Sequence, residues 1–259
     1  MSPPRLVTMK VASNRRVGDA YRVIELDGDA GVVRSGQFAM LKGAWGVAPL
    51  LPRPMSWLAV EPRPSVLIKV VGEGTRLLAA AAPGDELTVL TPLGRAFADA
   101  TEIGPATRSV IVAGGVGIAP LLWVAEELGG VGAERPLAVY GGRTRADLPL
   151  AERMAEITEL WVTTEDGSAG TKGRVTEVLD AALDARPGAI VLTCGPTPMM
   201  AAVAQRAHAA GRRCIAALEA PMACGYGVCL GCVVPRAGGG FLYVCSDGPC
   251  VDAREIEWR

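Results

Sequence analysis

The chain has 259 residues, half of them hydrophobic and only 5% aromatic, with 26 Lys and Arg against 27 Asp and Glu. That length supports two ordinary domains with aliphatic cores, and a net charge of -1 carries no basic footprint for nucleic acid. The single histidine, His208, argues against Ser-His-Asp hydrolysis and histidine-ligated zinc catalysis, so the chemistry is expected to belong to cofactors.

The amino terminus, "MSPPRLVTMKVASNRRVGDAYRV", has no apolar signal core. The longest uncharged runs, Ser109–Ala125 and Pro187–Gln205, are interrupted by glycine and proline, so no membrane span is expected and the cytoplasm is the expected location. Up to about Ala100, "YRVIELDG", "GQFAMLKG", "MSWLAVE", "SVLIKVVG" and "DELTVLTP" read as short strands punctuated by Gly, Pro and Asp. That rhythm predicts an antiparallel barrel or sandwich. Within it, "RPMS", Arg53–Ser56, sets an arginine and a small hydroxyl at a strand start, which suits a diphosphate and a ring edge or a plain strand entry. "GEGT", Gly72–Thr75, follows.

From Ser109 the rhythm changes to strands alternating with helices: "SVIVAGG", "APLLWVAEELG", "PLAVYGG", "LPLAERMAEI", "LWVTTEDG", "RVTEVLDAALDA", "AIVLTCGP" and "MMAAVAQRAHAAG". This predicts a parallel sheet covered on both faces. "AGGVGIAP" joins the first strand to its helix, and Gly114, Gly115, Gly117 and Pro120 would let a phosphate approach the helix amino terminus; any tight strand–helix turn needs glycine too. The second strand ends in "YGGRT" rather than in an acid, so Arg143 and Arg145 leave NADP open beside NAD. "TCGPTPMM" places Cys194, Gly195 and Pro196 at a strand's carboxyl end, where ligands of open sheets bind. Cys194 is the candidate catalytic residue there, and a buried small hydrophobe is its plain alternative.

Beyond Cys214 there is little periodicity, yet five of the seven cysteines lie here. An odd number of thiols in a reducing compartment points to metal or redox use. Cys224, Cys229, Cys232 and Cys245 are spaced C-x4-C-x2-C-x12-C, the plant-type pattern for a 2Fe–2S cluster. Gly225, Gly227 and Gly231 are expected to take conformations closed to a Cβ while the loop wraps the sulfides. A structural zinc site would also accept four thiolates, although its knuckles are usually paired C-x2-C. Cys250 falls outside the spacing.

Taken in order, "PLLPRPMSW", "GEGTRLL", "PGDELTVLTPLGRAF", "AGGVGIAPLL", "TEDGSAGTKGRVT", "TCGPTPMM" and "LEAPMACGYGVCLGC…YVCSDGP" resemble the electron-transfer subunits of two-subunit, NAD-dependent bacterial dihydroorotate dehydrogenases, within the ferredoxin–NADP reductase superfamily. The resemblance implies an FAD-binding antiparallel β-barrel at 1–100, an α/β parallel-sheet nicotinamide domain at 101–215 and a C-terminal 2Fe–2S module at 216–259. It places FAD against Arg53, Pro54, Met55, Ser56, Leu67, Ile68, Lys69, Gly74 and Thr75. Thr91 stands where the family usually has glycine. The cluster passes single electrons and nicotinamide exchanges a hydride, so FAD is implied between them. The implied partner is an FMN-containing dihydroorotate dehydrogenase subunit in a two-plus-two heterotetramer, and Met222, Tyr226 and Val228 would meet it or pack the loop on its own domain. Two alternatives stay open: a flavin and iron–sulfur subunit of an NADP–ferredoxin oxidoreductase or hydrogenase complex, and a zinc-stapled binding module without redox activity.

Overall fold

The computed structural model of the chain describes residues 3–105, 107–129 and 134–258. Of the expected domains, Met1, Ser2, Ala106, residues 130–133 and Arg259 lie outside the described residues. Strands β1 (Arg5–Arg16), β2 (Tyr21–Asp27), β3 (Phe38–Gly43), β4 (Arg53–Ala59), β5 (Ser65–Lys69) and β6 (Glu86–Leu93) close into an antiparallel barrel, in the order β1-β2-β5-β4-β3-β6. Five of these match the expected strands. The amino-terminal β1 is the addition, and it closes the barrel by pairing with β2 on one side and β6 on the other.

Alternation along each strand separates two environments. Ala39, Leu41, Trp57, Val66, Ile68 and Val89 fill the barrel interior, each large side chain contributing about 1.5–3 kcal/mol on burial. Phe38, Met40 and Leu93 face outward into a second core shared with the rest of the chain. Thr91 is fully buried and its hydroxyl donates to Ala30 O at 3.2 Å, so the barrel absorbs the side chain. Helix α1 (Glu73–Ala80) follows β5, and the short α2 (Phe97–Ala100) follows β6.

The second half forms β7 (Ser109–Gly114), α3 (Ile118–Leu128), β8 (Leu137–Gly142), α4 (Ala151–Ile157), β9 (Glu159–Thr164), β10 (Thr171–Lys172), α5 (Thr176–Ala185), β11 (Ile190–Cys194), α6 (Thr197–Ala209) and β12 (Cys214–Ala217). Strands β7 to β12 are parallel, in the order β10-β9-β8-β7-β11-β12. Val110, Val112, Leu137 and Val139 point toward α5 and α6, while Ile111, Ala113, Ala138 and Tyr140 point toward α3 and α4. Both faces are therefore covered, as an all-parallel arrangement requires.

The tail is less separate than its composition suggests. It contains β13 (Val233–Pro235), β14 (Phe241–Tyr243) and β15 (Cys250–Asp252). The first two form a hairpin, but β15 joins the large sheet antiparallel to β12. Leu242, Val244, Val251 and Ile256 complete the core that also holds Phe38, Met40 and Leu93 of the barrel.

Candidate functional site

At the start of β4, Arg53 donates from Nη1 to Leu51 O at 2.8 Å and lies against the first turn of α1. A Cβ on Gly74 would sit 2.4 Å from Arg53 Cζ, so the glycine seats the guanidinium there. Thr75 Oγ1 accepts from the amides of Val71 and Gly72 at 2.9 and 3.1 Å and fixes the turn. Arg53 is half-buried and has no carboxylate partner among the described residues. An unpaired arginine beside a helix amino terminus fits a diphosphate. Pro54 and Ser56 face outward with Met40 and Phe38, while Met55 packs into the barrel core.

Between the barrel and the carboxyl ends of β7, β8, β9 and β11 lies a crevice of about 530 Å³. Gly114, Gly115, Gly195 and Pro196 line it, together with Lys69 from the barrel. A Cβ on Gly195 would meet Gly114 Cα at 3.1 Å, so small residues allow these two strand ends to touch. Thr163 Oγ1, at the end of β9, is buried without a hydrogen-bond partner and lines the same crevice. That orphaned hydroxyl fits a polar group of a nicotinamide dinucleotide, because leaving it unpaired costs on the order of 1–3 kcal/mol.

Gly117, Pro120 and Cys194 do not line the crevice wall. Gly117 packs so closely on β11 that a Cβ would approach Cys194 O at 2.4 Å, and Pro120 is buried in α3. Cys194 is 2% exposed beneath the crevice floor, where burial, with added effect from Glu219 and Cys250, pushes its thiol well above the ordinary range. Its surroundings are those of a packed small hydrophobe rather than of an activated thiolate.

Several wall residues had no sequence signal of their own. Asp147 accepts from Lys69 Nζ at 3.2 Å and Tyr21 OH at 3.1 Å, tying the barrel to the sheet domain, and Arg143 Nε lies 3.6 Å from its other oxygen. Burial acts to raise the Asp147 carboxyl, but Lys69 and Tyr21 outweigh it and hold it below the ordinary range. Glu219 is exposed to the crevice, and the protein around it raises its carboxyl by desolvation. Glu165 and Arg174 stand at the rim, whereas Arg145 lies outside the lining.

The four expected cluster cysteines come together as two pairs. Cys232 Sγ and Cys245 Sγ are 3.2 Å apart and buried. Cys229 is exposed and Cys224 half-buried, with the Cys229 amide donating to Cys224 Sγ at 3.4 Å. Burial would raise the Cys224 thiol, but the amides of Cys229, Tyr226 and Val228 lower it to about 6. Cys245 is pushed up to about 12 by burial and by the Cys232 thiol, against the opposing Gly227 amide at 3.1 Å. Among the described residues no three His, Cys, Asp or Glu side chains are set to hold a single metal ion. Two thiol pairs instead suit two irons, each taking one pair, with amides aimed at sulfur. Gly225 and Gly227 take φ of +79° and +87°, as expected; the third left-handed residue is Leu230 at +58°, not Gly231. Cys250 is fully buried beside Gly36, outside this group.

Comparison with known proteins bears on the same residues. A family model described as the iron-sulfur cluster binding domain of dihydroorotate dehydrogenase B matches residues 219–257, and an oxidoreductase NAD-binding domain matches 111–205. The chain is 38% identical over 258 residues to a Bacillus caldolyticus protein named dihydroorotate dehydrogenase B (NAD(+)), electron transfer subunit, covering 96% of this chain and 97% of that one. A protein of the same name from Caldanaerobacter subterraneus is 37% identical over 251 residues, covering 95% and 96%. The chain belongs to this electron transfer subunit family. The zinc-stapled module thereby gives way to an oxidoreductase subunit with an iron–sulfur binding domain.

A solved structure of an NADH-dependent reduced ferredoxin–NADP oxidoreductase, described for flavin-based electron bifurcation, aligns with a TM-score of 0.85 at 28% identity, over 96% of this chain and 90% of that one. A ferredoxin NADP+ reductase from Neisseria gonorrhoeae, solved with FAD and NADP, aligns at 0.66 and 16% identity over 80% and 92%, and supports the fold alone. Among the described residues no helix is long and apolar enough to cross a membrane.

Proposed function

We propose that the chain carries electrons from the FMN of a partner dihydroorotate dehydrogenase subunit, through a 2Fe–2S cluster and FAD, to NAD+, in pyrimidine biosynthesis. The cluster supplies one-electron transfer, FAD the exchange between single electrons and a hydride, and nicotinamide the hydride acceptor. Cys224, Cys229, Cys232 and Cys245 hold the first, Arg53 to Ser56 with Leu67 to Lys69, Gly74 and Thr75 the second, and the crevice the third. The assembly is a heterotetramer of two copies of each subunit, in the cytoplasm.

The observation that carries this reading is the asymmetry of the thiol pairs. The buried Cys232–Cys245 pair lies in the core shared with the barrel's outer face, while exposed Cys229 is flanked by Tyr226, Val228 and Leu230, which are 52%, 68% and 51% exposed. An apolar rim around the surface end of a redox group suits docking of a donor protein. In this reading the dihydroorotate chemistry belongs to the FMN-containing partner subunit.

The chain loaded with cofactors is expected to oxidise NADH with an artificial acceptor but to leave dihydroorotate untouched. Adding the FMN subunit restores dihydroorotate-dependent NAD+ reduction, and Tyr226→Asp impairs it without bleaching the cluster. Dihydroorotate oxidation by this chain alone would overturn the reading. The likeness to the bifurcating oxidoreductase, with Arg143 and Arg174 at the crevice rim, supports a second reading as its NADP-linked counterpart. Pull-down of the native complex separates the two by the identity of the companion chain.

A further inference from the structure

The buried thiol pair, Cys232 and Cys245, belongs to the same apolar core as Phe38, Met40 and Leu93 of the barrel. The cluster loop packs against the barrel at Gly225, next to the ligand Cys224. A Cβ on Gly225 would stand 2.5 Å from Met40 Cγ, 2.9 Å from its Sδ and 3.3 Å from Leu93 Cδ1. Gly225 is buried and left-handed, so both its conformation and its surroundings exclude a side chain. Met40 is 1% exposed and stands directly opposite Pro54 in the β3–β4 register, on the barrel's outer face. Residues so paired lie within side-chain reach. The loop, Met40 and the flavin motif thus follow one another across the barrel wall.

Attachment alone does not call for this contact. The tail is already tied to the end of β6, where Arg95 N–H donates to Gly248 O at 2.6 Å and Pro249 packs on Gly94. We propose that Gly225 and Met40 form the bridge that sets the separation between cluster and flavin, and with it the rate of electron transfer between them. The proposal rests on the cofactor assignment made under the proposed function. In each crossing one electron leaves the cluster and enters the flavin; with NADH as reductant the direction reverses, the hydride giving the flavin two electrons of which the cluster takes one. Because tunnelling falls steeply with distance, a small displacement of the loop is felt as a rate. The polarisable thioether of Met40 fills the gap closely.

The test uses the full chain carrying both cofactors, mixed anaerobically with NADH while flavin and cluster bleaching are followed separately. Gly225→Ala forces the loop off Met40, and Met40→Ala removes the side chain on which the loop rests. In both variants flavin bleaching is expected at the wild-type rate and cluster bleaching severalfold slower, and in Met40→Ala iron content, flavin content and both midpoint potentials stay at wild-type values. Met40→Leu, which restores most of the volume, keeps most of the rate. A merely structural role would lower the melting temperature and leave the cluster phase alone. Wild-type cluster bleaching in both alanine variants, cofactors retained, overturns the proposal; if Gly225→Ala loses its cluster, Met40→Ala decides. A wild-type chain without flavin or iron would instead defeat the functional reading beneath it.

Discussion

The cluster loop and the nicotinamide crevice assemble their donor groups in opposite ways. Residues 223–232 place three cysteines close together in a segment without helix or strand, and two left-handed glycines and amide–sulfur contacts bend it into shape. The crevice draws on the ends of β7, β8, β9 and β11, far apart in the chain and gathered by a sheet buried on both faces. Its walls join glycines at the strand ends to side chains from separate elements, among them Lys69, Arg143, Asp147, Thr163 and Glu219. A loop site therefore depends on the identity of a few side chains, while a strand-end site depends on the integrity of the sheet beneath it.

The largest effect is expected at the ligands. Cys245→Ser should abolish or strongly destabilise the cluster, because oxygen is a poor donor for this soft site. Cys250→Ser, five residues on, should retain full iron while losing on the order of 1–3 kcal/mol of stability, since it buries a hydroxyl between Gly36 and Phe97. Iron analysis of both purified variants tells them apart. Iron lost from the Cys250 variant and kept in the Cys245 variant would reassign the fourth ligand.

The flavin motif lies between these extremes, one side chain seated by one backbone position. Arg53→Ala should weaken FAD binding by about 1.5–3 kcal/mol, roughly tenfold to a hundredfold, through loss of a charge-assisted contact to the diphosphate. Gly74→Val should act in the same direction by displacing the guanidinium that rests against it. Flavin retained on dilution to the wild-type extent in both variants would remove Arg53 from the site, whatever the state of the cluster.

This contrast also explains what could be read from the residues alone. The cysteine spacing survives translation into structure because its meaning is local: four thiols and the glycines among them. The five predicted barrel strands stand out by β-rich composition between Gly, Pro and Asp, whereas β1 alternates through Val7, Met9 and Val11 without that punctuation and is placed by its pairing with β2 and β6. Gly72 and Gly74 conceal α1, which holds its start through Thr75 instead. In the crevice, Gly114 and Gly195 follow from strand-end logic, and so would Thr163 had polar residues at the end of "LWVTT" been weighed in the same way. Cys194 obeys that rule in position but turns beneath the floor, and nothing in its sequence neighbourhood distinguishes up from down. Asp147 and Glu219 gain their roles only from approaching another element, which no spacing records.

The smallest effect concerns the seam where the two kinds of site meet, β15 against β12. Asp252 accepts from Arg213 Nε at 3.1 Å and from Arg254 Nη2 at 2.8 Å, while Arg213 also reaches Thr101 Oγ1 and Ala100 O. Burial would raise the Asp252 carboxyl, yet these arginines and the Arg254 amide lower it to about 2, from an ordinary 3.8. Its depressed value in the folded chain means that the contribution is complete above about pH 4 and disappears as pH falls through about 2. Allowing for solvent screening of the half-exposed arginines, it amounts to about 1–2 kcal/mol at neutral pH. Asp252→Asn should therefore lower stability by that amount at pH 7, in urea unfolding followed through Trp258 beside the seam, and the gap to wild type should narrow steadily between pH 4 and pH 3. Iron and flavin contents at pH 7 stay at wild-type levels, because the seam holds the tail's frame and not its ligands. A gap that stays constant across that pH range would show that the Asp252 charge is not what fastens the tail to the sheet.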